Sequence, residues 1–173
     1  MKLKQLLLVI TLVLFLSPLQ LVATTIDSSI NLTQRPSLKF DEAISAAEKA
    51  LGVEAKDFSC TIARSKTRSS GGGWNLQFRS LTLPFRWIHI DKGGKVISNE
   101  GIPGTAAHLK AAPKVSIERA IDIALGTREN TRMWFPIQVD WDENKDEWFV
   151  MLVNSHRVVV NLIVDAKEKA KVQ

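Results

Sequence analysis

Residues that cross-link chains or bind metal are scarce in this sequence. Among 173 residues there is one cysteine, there are three histidines, and tyrosine is absent. A single Cys60 excludes an internal disulfide. His89, His108 and His156 show no ligand spacing, whereas a stable zinc site draws on about three or four converging side chains. Glycine (9) and proline (6) are too few for a collagen-like or low-complexity chain. A hydrophobic content of 45% with 24% charged residues argues against disorder. The formal net charge of +5 falls short of the basic excess that marks nucleic-acid binders. There is no G-x-S-x-G nucleophile elbow, and Cys60 has no activating neighbour in sequence. Acidic residues fall mostly at loops and helix surfaces, not as a polarised hydrolytic pair. The expectation is a protein that is not an enzyme and carries no cofactor.

What is present begins with an address. Lys2 and Lys4 precede an apolar run from Leu6 to Leu16, broken only by Thr11 and ended by Ser17-Pro18. Leu21-Val22-Ala23 then supplies a small residue at a cleavage position. This is the layout of a secretory signal peptide over residues 1–23, shorter than the ~20 apolar residues of a membrane span. Left uncleaved, it would serve as an N-terminal anchor. Cleavage removes two of the 23 basic residues and none of the 18 acidic ones, leaving a mature charge of +3. Residues 24–36 are polar and aperiodic, a flexible leader that includes an Asn31-Leu32-Thr33 sequon.

Self-comparison of the remainder reveals matching stretches. Phe40-Asp41-Glu42-Ala43-Ile44 aligns with Ile117-Glu118-Arg119-Ala120-Ile121, 77 residues on. Trp74-Asn75-Leu76-Gln77-Phe78 aligns with Trp148-Phe149-Val150-Met151-Leu152, and Ile88-His89-Ile90-Asp91 with Leu162-Ile163-Val164-Asp165, both 74 residues on. Phe40, Ala43, Ile44, Ala47 and Leu51 lie on one face of a 3.6-residue period that Gly52 closes. Ile117, Ala120, Ile121, Ala124 and Leu125 repeat it, with Ser116 as N-cap and Gly126 at the end, whereas Lys39 is a poor cap for the first helix. Elsewhere the period is two: Phe58, Cys60 and Ile62; Trp74, Leu76 and Phe78; Phe135, Ile137, Val139 and Trp141; Trp148, Val150 and Leu152. The run Arg157-Val158-Val159-Val160 is apolar enough to read as a central or doubly covered strand. The expected fold class is α+β, with two tandem repeats of one helix packed on a three- or four-stranded antiparallel sheet. Residues 37–100 form the first unit, 101–113 a linker and 114–173 the second.

The Ala-Ile helix start, the Trp-led strand and the closing run Ile90-Asp91-Lys92-Gly93-Gly94-Lys95-Val96 together resemble the PepSY domain family of secreted and envelope proteins. The second copy, Val164-Asp165 through Lys171-Val172, lacks the turn glycine. The resemblance implies a helix against an antiparallel sheet outside the cytoplasm. Such domains occur in propeptides of secreted metallopeptidases, where a role in peptidase inhibition has been proposed. The family offers no catalytic signature; it implies Trp74 and Trp148 as core anchors and Asp91 and Asp165 as turn residues.

Three groups of residues stand out as candidate sites. Asp140, Asp142, Asn144 and Asp146 alternate as in a calcium loop, but Lys145 stands where its sixth-position glycine belongs and Met151 where its bidentate glutamate belongs. A solvated hairpin tip is the expected reading, with a weak cation site as the alternative. Arg64, Lys66 and Arg68 lead into Ser69-Ser70-Gly71-Gly72-Gly73, a basic tip opposite in sign to Asp140–Glu147 and suited to steering a partner or a head-to-tail self-contact. Trp87 and Trp134 are either core residues or, if exposed and clustered, a stacking surface for a peptide or glycan. The function expected is an exported protein- or peptide-interaction module of the cell envelope that modulates a secreted peptidase. The alternative is an extracytoplasmic binder of a small ligand or metal ion. No nucleic-acid partner is expected, and contact with the membrane is confined to the signal segment.

Overall fold

The computed structural model describes residues 35–67, 71–102 and 108–173. The signal segment, most of the leader with Asn31, the centre of the linker, and Arg68 lie outside the described residues.

The first helix, α1 (Phe40–Leu51), buries Ala43, Ile44, Ala47 and Leu51, the stripe that its spacing marks as apolar. No side chain caps its start; the backbone N–H of Lys39 donates to Glu42 Oε2 at 3.3 Å instead. Gly52 ends it at φ 64°. The second helix, α2 (Ile117–Gly126), is capped by Ser116, whose Oγ accepts from the N–H of Arg119 at 3.2 Å. Gly126 is its last residue, and Thr127 takes the C-cap position.

The strands are β1 (Ser59–Ser65), β2 (Trp74–Arg79), β3 (Phe85–Ile90) and β4 (Val96–Ile102), then β5 (Trp134–Asp142), β6 (Glu147–Asn154), β7 (Val159–Asp165) and β8 (Ala170–Val172). All eight belong to one antiparallel sheet in the order β4-β3-β2-β1-β5-β6-β7-β8. This overturns the expectation of an α+β protein built from two tandem helix-on-sheet repeats: the chain is mainly β, one eight-stranded sheet with a helix of 12 residues and a shorter one of 10. The joint is β1 against β5, where Ile62 faces Asp140, Ala63 faces Val139 and Arg64 faces Gln138. Two separate sheets would each leave an extra edge of unpaired N–H and C=O groups, and pairing β1 with β5 removes both.

Both helices cover the same face of the sheet, α1 over β2–β4 and α2 over β5–β7, and bury a single core. Its largest members are Trp74 and Trp148, at 0% and 1% exposure. Each indole satisfies its N–H inside that core, Trp74 donating to the Leu38 carbonyl and Trp148 to the Val115 carbonyl, both at 2.9 Å. Each rivets the chain just ahead of a helix to the strand beneath it. Phe40 packs edge-on against Trp74 with ring centroids 5.5 Å apart. Full burial of an aliphatic side chain contributes roughly 1.5–3 kcal/mol, so Leu76, Ile88, Ile90, Leu152 and Leu162, each exposed by 1% or less, carry much of the stability.

The hairpin ends follow residue chemistry. Asp91 Oδ1 accepts from the N–H groups of Gly93 and Lys95, and Asp165 Oδ1 accepts from those of Lys167 and Lys169. These backbone donors, backed by nearby lysines, hold both carboxyls below the ordinary aspartate range. Without a turn glycine, the second hairpin places Glu168 at φ 59° and ties it to α2 through Arg119. Gly73 opens β2 at φ +82°, where a Cβ would lie 2.0 Å from the Ile90 carbonyl oxygen, so only glycine fits. The valine run does not occupy the sheet centre. β7 is next to the edge, and Val158 and Val159 are 50% and 37% exposed.

Candidate functional site

The sheet ends at β4 on one side and at β8 on the other, and the two edges differ. β8 is three residues long and carries Lys171; β4 is seven long and contains neither lysine nor proline. Short length, charged side chains, proline and bulges are the usual protections of a sheet edge, and of these β4 has Glu100 and one bulge. β4 has one interruption, at Ile97, where the register steps from Ile90↔Val96 to His89↔Ser98. Ile97 itself is 59% exposed. Beyond it β4 pairs in regular register with β3, from Ser98 to Ile102, and no described strand lies on its outer side. Beside this edge, on the helix face, runs a groove of about 570 Å³ bounded by Asp41, Glu42, Ser45 and Lys49 of α1 and by Gly94 and Val96.

No described helix lies on the other face of the sheet. Register places Ser98, His89, Asn75, Arg64, Gln138 and Met151 in one row across it. Glu100, Trp87, Gln77, Ile62, Asp140 and Phe149 form the next. Trp87 is half-buried here beside Gln77. Trp134 is packed against the helix-side core with the Arg128 guanidinium 5.9 Å from its ring centroid. The two tryptophans therefore do not form a shared stacking surface.

Arg64 sits mid-sheet, not at a mobile tip. Its Nε and Nη2 donate to Asp140 Oδ1 and Oδ2 at 3.1 and 2.9 Å, and Gln138 Nε2 donates to the same carboxylate at 2.6 Å. The opposite charges noted in sequence thus meet inside the chain, across the β1–β5 joint. Lys66 Nζ contacts His89 Nε2. Burial, then the Lys66 ammonium, lowers the His89 pKa from its ordinary 6.5, while Glu100 acts the other way.

The acidic hairpin does not assemble a cation site. Asp140 is committed to Arg64, and Asp142 Oδ1 accepts from the N–H of Asn144 at 3.0 Å. Asp146 pairs with Lys114 at 3.1 Å and accepts from the Trp141 indole at 3.3 Å. Among the described residues, no group of three or more His, Cys, Asp or Glu side chains is placed to hold a metal ion. Glu143 has a structural task that its sequence position does not reveal: it accepts from the N–H of Lys110 at 2.6 Å and pairs with Arg79 at 3.0 Å. Burial opposes its ionisation, but those two donors outweigh burial and hold its pKa below the ordinary glutamate value.

Cys60 is 8% exposed on the helix side, and burial, aided by the charge of Glu118, pushes its thiol pKa well above the ordinary value. His108 and His156 lie apart from it, one within the linker and one in the β6–β7 turn. The β4 groove and a second cleft between the helices went unseen in the sequence, because both are formed by residues far apart in the chain. The exposed Ile97, an apolar residue on a strand without lysine or proline, was the one local hint of the edge.

Among the described residues no helix is long and apolar enough to cross a membrane. No family model matches the chain, and no curated protein matches it. The crystal structure of a candidate lipoprotein from Clostridium difficile 630 is similar at 16% sequence identity and a TM-score of 0.45, covering 84% of this chain and 98% of that one. A likeness of that size carries nothing about activity.

Proposed function

We propose that this chain is an exported, non-enzymatic interaction module that takes up an extended peptide as an added strand along β4. The observation that carries the reading is the contrast between the sheet's edges: β8 is three residues long and carries Lys171, whereas β4 is seven long, lacks lysine and proline although it carries Glu100, pairs regularly beyond its bulge at Ile97, and is bordered by a groove. Main-chain hydrogen bonds to Ser98–Ile102 would supply affinity, and a side chain of the peptide where it runs on past the bulge to Val96 would enter the groove beside α1. Asp41 and Glu42 against the single Lys49 make that groove favour basic side chains. Export rests on the signal-like residues 1–23. The buried thiol of Cys60, with its raised pKa, is not poised as a nucleophile, which accords with a binding role. The PepSY resemblance makes a secreted peptidase the first partner class to assay.

Selection from a phage-displayed library of linear peptides, followed by amide hydrogen exchange with the selected peptide, tests this. Protection is expected at residues 98–102, and the same peptide N-methylated on alternate amides should lose binding. Protection elsewhere, N-methylation without effect, or no enrichment at all would overturn the proposal.

A further inference from the structure

A second concavity lies between the two helices, on the other side of Asp41, where the two ends of the sheet's helical cover approach each other. Its volume is about 370 Å³, within the ~300–1,000 Å³ of small-molecule sites. Trp74 and Phe40 line it from the α1 side, and Ile121, Leu125, Phe135 and Pro136 from the α2 side. Arg35 and Lys39 stand on the chain leading into α1, and Glu118 and Asp122 stand one turn apart on α2. All four are exposed, and none of them is ion-paired with any described residue. Arg35 instead lies over the Phe135 ring, 4.4 Å from its centroid. The mouth therefore has one lip with two cations and the Asp41 carboxylate beside them, and a second, anionic lip of Glu118 and Asp122, above an apolar floor.

We infer that this cleft binds a zwitterion with an apolar side chain, a free hydrophobic α-amino acid. The side chain fills the space between Phe40, Leu125 and Phe135, the carboxylate faces Arg35 and Lys39, and the ammonium faces Glu118 and Asp122. Opposed lips discriminate against molecules that carry one charge alone, because each such molecule leaves one lip unmatched and adds a repulsion at the other. This site does not depend on peptide capture at β4.

The test titrates the full chain with L-phenylalanine, 3-phenylpropionate, 2-phenylethylamine and glycine, reading methyl NMR shifts of Ile121 and Leu125. Saturable shifts are expected with L-phenylalanine. The two singly charged analogues and glycine should bind at least about tenfold more weakly, a difference of about 1.4 kcal/mol. Asp122→Lys, at an exposed position, should weaken L-phenylalanine binding by a similar factor without moving the thermal midpoint. Leu125→Glu should abolish it. Equal binding of the analogues, no saturable shift with L-phenylalanine, or indifference to Asp122→Lys would each overturn the inference. Loss of peptide protection at β4 with the cleft still binding would overturn the peptide proposal alone.

Discussion

Arg64 and Asp140 clasp each other with two parallel hydrogen bonds, at 3.1 and 2.9 Å, across the seam where β1 meets β5. Their side chains are 34% and 22% exposed, so the pair is screened in part by water yet held in a forked geometry. Arg64→Ala leaves the carboxylate with Gln138 alone and should lower unfolding stability by about 1–2 kcal/mol in urea titration. Arg64→Leu combined with Asp140→Leu should recover most of that loss, because no unpaired charge is left on the sheet. A double variant as unstable as the sum of its parts would contradict this account.

The indoles of Trp74 and Trp148 should be hard to replace. Phenylalanine at either position removes ring volume from a fully buried site and strands a backbone carbonyl, Leu38 or Val115, without its donor. Each single change should cost about 2–3 kcal/mol. Hydrogen exchange should show the loss centred on α1 for Trp74→Phe and on α2 for Trp148→Phe, since each ring anchors the approach to one helix.

Acid should weaken the fold through His89. Its folded pKa lies below the ordinary 6.5, so near pH 6 the unfolded chain binds the proton more readily than the native one. The stability that neutral His89 contributes is present above pH 6.5 and is lost as the pH falls through its lowered folded value. His89→Gln should flatten that part of a pH–stability curve, measured by thermal denaturation between pH 7 and 5. An unchanged slope would show that the imidazole is not responsible.

Cys60 should be silent toward thiol reagents in the native protein at pH 8. Burial both raises its pKa and blocks access, so a disulfide reagent should label it only after denaturant is added. Rapid labelling of the native chain would place the thiol elsewhere than the helix-side core.

Sequence periodicity was sufficient for the local elements. The apolar stripe of α1 and the Ser116 cap are visible in the spacing of residues, because each depends on neighbours within about a turn, whereas the anchoring tryptophans and the Asp91 and Asp165 turns come from the family resemblance. The pairing of β1 with β5 has no such signature. Ile62 and Asp140 meet because of topology, and alternation reads the same whether a strand's neighbour comes from its own half or the other. For the same reason Arg64 reads in sequence as part of a basic loop tip, and spacing does not assign Trp87 and Trp134 to opposite sides of the sheet. Concavities are more distant still from sequence, since Arg35, Trp74 and Leu125 share a wall only after folding.

The unequal edges also limit how this molecule could assemble with itself. With one permissive border and one blunt one, side-by-side addition can join two copies through β4 and then stops, since the outer borders of the pair would both be β8. A chain so rich in strand thus carries a built-in terminator against endless stacking into fibres, and concentration should drive it no further than a closed couple.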